Sequence, residues 1–229
     1  MNTNDINGIL IVDKEKGMTS HDVVDLVRRR FGIKKAGHAG TLDPNATGVL
    51  VLLLGRATRL SSTYLNDDKE YTAEMKLGEK TSSGDVEGAV VGTAEVNVTA
   101  EDVERAARCF AGIIEQVPPM ASAKKVNGRK LYKLARKGIE IKREPVKVEI
   151  KEIEVLSAVL PLVTFRVVCS KGTYIRQLAE DIGEKLGCGA HLTELRRTRS
   201  GGFSLDRAVT VAGLEQITAE QLYENISRI

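Results

Sequence analysis

Residues 146–169 of this 229-residue chain read VKVEIKEIEVLSAVLPLVTFRVVC, and this stretch decides the fold class. Apolar and charged side chains alternate along residues 146–156, as they do in an antiparallel strand with one face in water and the other on a core. Residues 162–169 are apolar enough to form a second strand. We therefore predict a sheet that is largely antiparallel.

Other segments supply further strands and the helices. Apolar or alternating runs at residues 8–13, 49–54 and 69–77 predict three more strands. Helices are predicted where apolar residues recur at helical spacing, namely after Ser20, after Thr99, from Ile175, and in two short segments after Thr210 and Thr218. Ser20 is predicted to cap the first helix, which Gly32 ends. The mixture predicts an α+β fold, a mixed, largely antiparallel sheet flanked by helices.

The net charge of +3 hides two segments of opposite sign. Residues 74–104 carry eight acids against two lysines, whereas residues 124–151 carry eleven basic residues against three acids. Smaller basic clusters lie at residues 28–35 and 196–199. Clustered cations attract a polyanion by displacing its counterions, so these segments are candidate nucleic-acid contacts. Solvated helix faces are the alternative interpretation.

Composition excludes several classes of protein. The longest apolar run, residues 49–54, is far too short to span a bilayer, and the first residues do not resemble a signal peptide. Three scattered cysteines suit reduced thiols, and the three histidines have no metal-ligand spacing. We therefore expect a cytoplasmic protein that is not associated with a membrane and has no imidazole-rich metal site.

The loop at residues 37–50, GHAGTLDPNATGVL, is the strongest candidate for a site. Its glycines allow backbone shapes that other residues avoid, and Pro44 restricts the backbone just after Asp43. Asp43 is therefore expected to be held in place. A turn aspartate that binds its own backbone is the alternative.

Five collinear segments, this loop among them, are similar to one family of enzymes. The others are GILIVDKEKGMTSHDVV (8–24), KEYTAEMKLGEKTSSGDVEG (69–88), PPMASAKKVNGRKLYKLARKGIEI (118–141) and CSKGTYIRQLAEDIGEKLGCGAHLTELRR (169–197). Together they resemble the TruB family of pseudouridine synthases. The resemblance implies the pseudouridine synthase fold and an isomerase that converts a uridine in the T-loop of tRNA, at tRNA position 55, to pseudouridine.

The resemblance also implies roles for individual residues. Asp43 matches the nucleophile, Tyr71 the tyrosine that stacks on the target base and moves a proton, and Arg176 the arginine that pairs with the nucleophile. The matching substrate contacts are His38, Tyr71, Tyr174, Leu195, Asp85 and Lys125. The basic stretch at residues 118–145 matches a thumb-like insertion over the T-loop, whose candidate contacts to the RNA backbone are Lys124, Arg129, Lys130, Lys133, Arg136 and Lys137.

These residue types suit the reaction. An ionised carboxylate can add to the substrate and leave again, and a neighbouring arginine keeps it anionic. We therefore expect no metal and no organic cofactor. A stacked base must be flipped out before it can react, at a cost of a few kcal/mol that contacts to phosphates offset. Each role has an alternative that involves no function. Tyr71 would be a core aromatic and His38 an ordinary loop histidine. Tyr174 would pack at the start of a helix, and Arg176 would belong to a surface ion pair.

The resemblance is imperfect in places. Glu15 stands where relatives carry proline, and Ser82 where they often carry a second aspartate.

We expect residues 1–229 to form a single catalytic domain with a short helical tail at residues 210–229 and without the C-terminal domain of the PUA type that many relatives have. The expected partner is the T-stem-loop of tRNA, bound by a monomer without an obligatory protein partner. The alternatives are a guide-RNA-dependent pseudouridine synthase of the dyskerin-like branch and a non-catalytic tRNA-folding factor.

Overall fold

The predicted strand at residues 146–156 is one arm of a long antiparallel hairpin. The computed structural model describes residues 6–227 apart from residues 123, 127 and 136 and the side chains of residues 125, 130 and 132. Within these residues the strands are β1 Gly8–Lys14, β2 Ala36–His38, β3 Thr47–Leu54, β4 Lys69–Leu77, β5 Glu79–Thr81, β6 Val90–Thr93, β7 Gly112–Gln116, β8 Lys125–Val126, β9 Arg129–Lys130, β10 Val146–Val159, β11 Leu162–Cys169, β12 Ala190–Ser200, β13 Phe203–Ser204, β14 Val209–Thr210 and β15 Ile226–Ser227.

The α-helices are α1 Ser20–Phe31, α2 Ser61–Leu65, α3 Ala100–Arg108, α4 Leu131–Ala135, α5 Ile175–Lys185, α6 Val211–Gln216 and α7 Ala219–Glu224, with short 3-10 helices at Gly55–Leu60 and Leu205–Arg207. Together the strands and helices confirm the predicted α+β class. No helix in the described part of the chain is long and apolar enough to cross a membrane.

The chain forms two compact units, and β4 and β12 each run from one unit into the other. The first unit comprises Met1–Tyr71 and Leu195–Ile229, and the second comprises Thr72–Glu194. In the first unit the strand order is β14-β1-β3-β12, where β1 pairs antiparallel with β3 and β3 pairs parallel with β12. The sheet is therefore mixed, as predicted.

Both faces of β1 and β3 are buried in the first unit, which explains their nearly continuous apolar sequences. On one face Leu10, Leu50 and Leu52 pack with the apolar stripe of α1. On the other face Ile11 and Val51 belong to a second apolar cluster. The β3 strand is thereby fixed on both sides, and it carries the end of the candidate loop.

In the second unit the strand order is β4-β11-β10-β7. The β10–β11 hairpin is antiparallel and contains two register shifts, and β7 pairs antiparallel with β10 at the edge. The charged residues of β10 are exposed, whereas Val148 and Ile150 are buried. This pattern confirms the predicted strand with one face in water.

Three local predictions need correction. Thr19, not Ser20, caps α1, because the Thr19 side chain accepts a hydrogen bond from the Asp22 N–H in a capping box. The predicted loop also contains β2, which pairs with β3 from Ala36 to His38. The strand β12 was not predicted, because its sequence AHLTELRRTRS has no apolar alternation.

Candidate active site

The Asp43 loop lies in the first unit and connects β2 to β3. Gly40, near its start, and Gly48, just beyond it in β3, both have a positive φ, of 109° and 100°. Between them Leu42 is buried and Asp43 is half-buried, so the carboxylate is within reach of solvent while its neighbour anchors the backbone. The Asp43 carbonyl accepts a hydrogen bond from the Ala46 N–H at 3.1 Å. This arrangement suits a reactive side chain on a fixed loop.

Ser20 anchors the residue before Asp43. The Leu42 N–H donates to Ser20 Oγ at 2.8 Å, and Ser20 Oγ donates to the Leu42 carbonyl at 3.1 Å. Ser20 is itself buried at the start of α1. The hydroxyl that was predicted to cap α1 therefore serves the candidate loop instead.

Lys14, the last residue of β1, is a buried cation beside the loop. Its Nζ donates to the carbonyls of Met18 at 2.7 Å, Glu15 at 2.8 Å and Pro44 at 3.0 Å. Burial lowers the pKa of Lys14 from 10.5 to about 8, and the negative charge of Asp43 opposes that shift. Lys14 thus interacts electrostatically with Asp43 and donates a hydrogen bond to the backbone of the next residue, Pro44.

Three other predicted residues also lie in the first unit. Tyr71 and Leu195 pack against the apolar cluster that contains Leu42, so they share an environment with the residue next to Asp43. His38 is the last residue of β2 and pairs with Leu52 of β3. Within this unit the structure thus packs Tyr71 and Leu195 against the apolar cluster that includes Leu42, and it places His38 on the strand that leads into the loop.

Arg176 lies in the second unit, in the first turn of α5, and it is only 5% exposed. Its Nη1 donates to the Ser83 carbonyl at 3.0 Å, its Nη2 donates to the Ala121 carbonyl at 2.8 Å, and the Asp85 carboxylate lies 3.5 Å from Nη1. Burial raises the pKa of Glu180 further along α5, and the Arg176 guanidinium opposes that shift. The alternative interpretation of Arg176 as a surface residue is therefore wrong.

The Asp85 carboxylate is fixed by hydrogen bonds within its own loop and by the contact with Arg176. Its Oδ1 accepts hydrogen bonds from the Ser83 hydroxyl and from the Glu87 N–H, the latter at 3.1 Å. Its Oδ2 is the atom that faces Arg176. The family resemblance implies that Asp85 is a substrate contact, but no pattern in the sequence predicts this ion pair, because its two residues are 91 positions apart.

The backbone of Tyr174, just before α5, is fixed by a buried glutamine. The Tyr174 N–H donates to Gln116 Oε1 at 3.0 Å, and Gln116 Nε2 donates to the Tyr174 carbonyl at 3.3 Å. Gln116 ends the edge strand β7. Sequence reasoning missed this glutamine, which determines where Tyr174 and the start of α5 lie.

The basic insertion folds as two short paired strands, β8 and β9, followed by α4. The side chains of Leu131 and Leu134 are buried, while Arg129, Lys133 and Lys137 are exposed and Lys124 is half-buried. Arg136 lies outside the described residues, as do the side chains of Lys125 and Lys130. The described cations are accessible to a polyanion, and their role in RNA binding stays a prediction.

The described residues contain no group of three or more His, Cys, Asp or Glu side chains that could hold a metal ion. The polar groups at the loop and around Arg176 are carboxylates, cations, hydroxyls and backbone carbonyls. Such a set can perform nucleophilic and proton-transfer chemistry with groups of the chain itself.

Comparison with known proteins defines the class of fold and then the family. A chain in the crystal structure of a Cbf5-Nop10-Gar1 complex has a similar fold, with a TM-score of 0.77 and 33% identity over 96% of this chain. This chain spans 60% of that chain's length. The model of the TruB family pseudouridylate synthase N-terminal domain matches residues 28–175, and that of the tRNA pseudouridylate synthase B C-terminal domain matches residues 176–228. The chain belongs to the TruB family of pseudouridylate synthases.

Two bacterial relatives carry the name tRNA pseudouridine synthase B. The protein from Protochlamydia amoebophila is 52% identical over 97% of this chain and 84% of its own length. The protein from Syntrophotalea carbinolica is 50% identical over 94% of this chain and 71% of its own length. Similarity of this extent covers every predicted site residue, from His38 to Leu195.

Proposed function

We propose that this chain is a tRNA pseudouridine synthase that isomerises the T-loop uridine at tRNA position 55, with Asp43 as the nucleophile. The half-buried Asp43 on its anchored loop is the observation that supports this role most directly. In the reaction the bond from ribose C1′ to uracil N1 breaks and a bond from C1′ to C5 forms. C5 loses a proton and N1 gains one, so atoms and charges balance without an oxidant, a reductant or a cofactor.

The other site residues take the roles that the family resemblance implies. Arg176 keeps the nucleophile anionic, and its burial and its pair with Asp85 support a fixed guanidinium. Tyr71 offers a ring for the flipped uracil, where stacking is worth about 1–3 kcal/mol per base, and a hydroxyl that moves a proton. The substrate pocket is lined by His38, Tyr174 and Leu195. The basic insertion binds phosphates of the RNA.

The relatives favour this function over a guide-RNA-dependent one. The two tRNA pseudouridine synthase B proteins are 52% and 50% identical to this chain, against 33% for the chain of the Cbf5-Nop10-Gar1 complex. We therefore propose that the chain acts as a monomer on tRNA, without a guide RNA or an obligatory protein partner. A purified chain and a T-stem-loop transcript are then sufficient for turnover.

Tritium release from uracil C5 in a T-stem-loop transcript tests the proposal. We expect the purified wild-type chain to release tritium in the presence of EDTA, and Asp43→Asn to bind the transcript with unchanged affinity but to release none. A transcript with cytidine at the target position is the matched control for binding without reaction. Robust turnover by Asp43→Asn would falsify the nucleophile assignment. Binding without any release by the wild-type chain would favour the tRNA-folding factor.

A further inference from the structure

Arg197 on β12 is a buried arginine that touches both ends of the Asp43 loop. The sequence groups it with Arg196 and Arg199 as a possible polyanion contact, but its side chain is only 1% exposed and so cannot serve as one. Its Nε donates to the Val49 carbonyl at 2.7 Å. At the other end of the loop its Nη2 donates to the Gly40 carbonyl at 3.2 Å, and its Nη1 makes a longer contact of 3.4 Å to the Thr41 carbonyl.

These contacts belong to a continuous series. Every backbone carbonyl from residue 40 to residue 44 accepts a hydrogen bond: Gly40 and Thr41 from Arg197, Leu42 from Ser20, Asp43 from the Ala46 N–H, and Pro44 from Lys14 and the Gly17 N–H. The carbonyls on both sides of Asp43 are therefore bound to buried side chains. Its peptide planes are fixed, and with them the direction in which its side chain leaves the backbone.

The close approach of β12 to the loop depends on Gly48. A Cβ atom at Gly48 would lie 2.2 Å from the Arg197 carbonyl oxygen, so only glycine lets the two backbones come this near. Because the backbones come this close, the Arg197 guanidinium reaches carbonyls on both sides of the loop. The geometry explains why the loop ends on a glycine at this position.

Burying a cation here costs free energy that an apolar side chain of similar size would avoid. Arg197 also lies close enough to Lys14 to contribute to the lowered pKa of that lysine. Two like charges are thus kept in one buried region. The planar guanidinium fork offsets part of this cost by donating to three carbonyls, and the same hydrogen bonds hold the loop in one conformation.

We propose that Arg197 is a positioning residue for the isomerisation, which holds the backbone on both sides of Asp43 so that the carboxylate meets the target nucleoside in a reactive orientation, and that Ser20 assists it through Leu42. The inference rests on the proposed function of Asp43. It adds a role for two residues that touch neither the substrate nor the reacting atoms. Misplacement of a reacting group by about 1 Å can cost on the order of 100-fold in rate.

Arg197→Lys tests the proposal, because lysine keeps the charge but lacks the fork. We expect kcat for tritium release to fall about 100-fold, while the Kd for the T-stem-loop, measured in an Asp43→Asn background, changes less than about twofold. Arg207→Lys is the control, since Arg207 is an exposed arginine of the same unit, in the short 3-10 helix Leu205–Arg207, and belongs to none of the basic segments. Its kcat is expected to stay within about twofold of the wild-type value.

A second readout does not depend on turnover. Exchange of the Leu42 and Ala46 amide hydrogens is expected to be faster in Arg197→Lys than in Arg207→Lys at equal folded fraction. Ser20→Ala, which changes no charge, is expected to show the same effect with a loss in kcat of about tenfold. Unchanged exchange in both Arg197→Lys and Ser20→Ala, or a Kd that rises as much as kcat falls, would overturn the proposal. An inactive wild-type chain would contradict the proposed function, and the exchange data would still decide whether Arg197 holds the loop.

Discussion

Replacing Lys14 with methionine probes the electrostatics of the Asp43 loop. Methionine fills a similar volume without the ammonium, so Lys14→Met removes a buried charge and three hydrogen bonds to carbonyls. These two changes act in opposite directions on stability at neutral pH. The pH dependence of the difference between the two proteins reports the titration of Lys14, because methionine has no ionisable group.

The expected size follows from the shifted pKa. The pKa of Lys14 is about 8 in the folded chain against 10.5 for an ordinary lysine. Between these values the unfolded chain binds more protons than the folded one, so the free energy of unfolding rises with pH. Below pH 8 the burial penalty is fully present, and by pH 10 most of it is gone. The wild-type chain should therefore gain about 2–3 kcal/mol relative to Lys14→Met between pH 7 and pH 10.

Urea unfolding at pH 7, 8, 9 and 10 measures this difference. Lys34→Met, which removes an exposed lysine from the same unit, controls for the change in net charge. We expect the gap between wild type and Lys14→Met to shift in favour of the wild type in steps above pH 8. A gap that stays constant across this range, or shifts the other way, would refute the view that Lys14 is held charged in a buried site.

Two further predictions concern the geometry of the site. Gly48→Ala should destabilise the chain by at least about 2 kcal/mol, because its Cβ would collide with the Arg197 backbone and Gly48 has a positive φ. The control Gly37→Ala should change stability little, since its Cβ would meet no atom within 4 Å. Thermal unfolding of both variants measures the difference, and equal stability would contradict the prediction. Asp85→Asn should lower kcat about 10-fold to 100-fold with little change in Kd, because it removes the negative charge that pairs with Arg176. A higher Kd at unchanged kcat would instead mark Asp85 as a substrate contact.

Local patterns in the sequence were sufficient for much of the fold. The alternation at residues 146–156 predicts β10, and the helical spacing of apolar residues after Thr99 predicts α3. Gly32, which adopts a left-handed conformation, ends α1 as predicted. These signals depend on residues within a few positions of one another. Side-chain periodicity and capping therefore make them readable without knowledge of the fold.

The candidate site was predicted for a different reason. Asp43, Tyr71 and Arg176 were assigned through collinear motifs shared with a family, and no periodicity or spacing singles out Tyr71 or Arg176. The matches to the TruB family models confirm the family. The experiments on Asp43 and Asp85 test the roles of individual site residues.

By itself the sequence determined the α+β class, the main helices and strands and the family, and it singled out Asp43 as the candidate nucleophile. Only the tertiary structure decided that β12 is a strand, that Ser20 binds Leu42 rather than capping α1, and that Arg197 is buried under the Asp43 loop. Arg197 reads as a surface cation because it stands in a charged run, yet its carbonyl partners lie about 150 positions away. Hydrogen bonds of that separation leave no local pattern, since they form only when the sheet brings distant strands together.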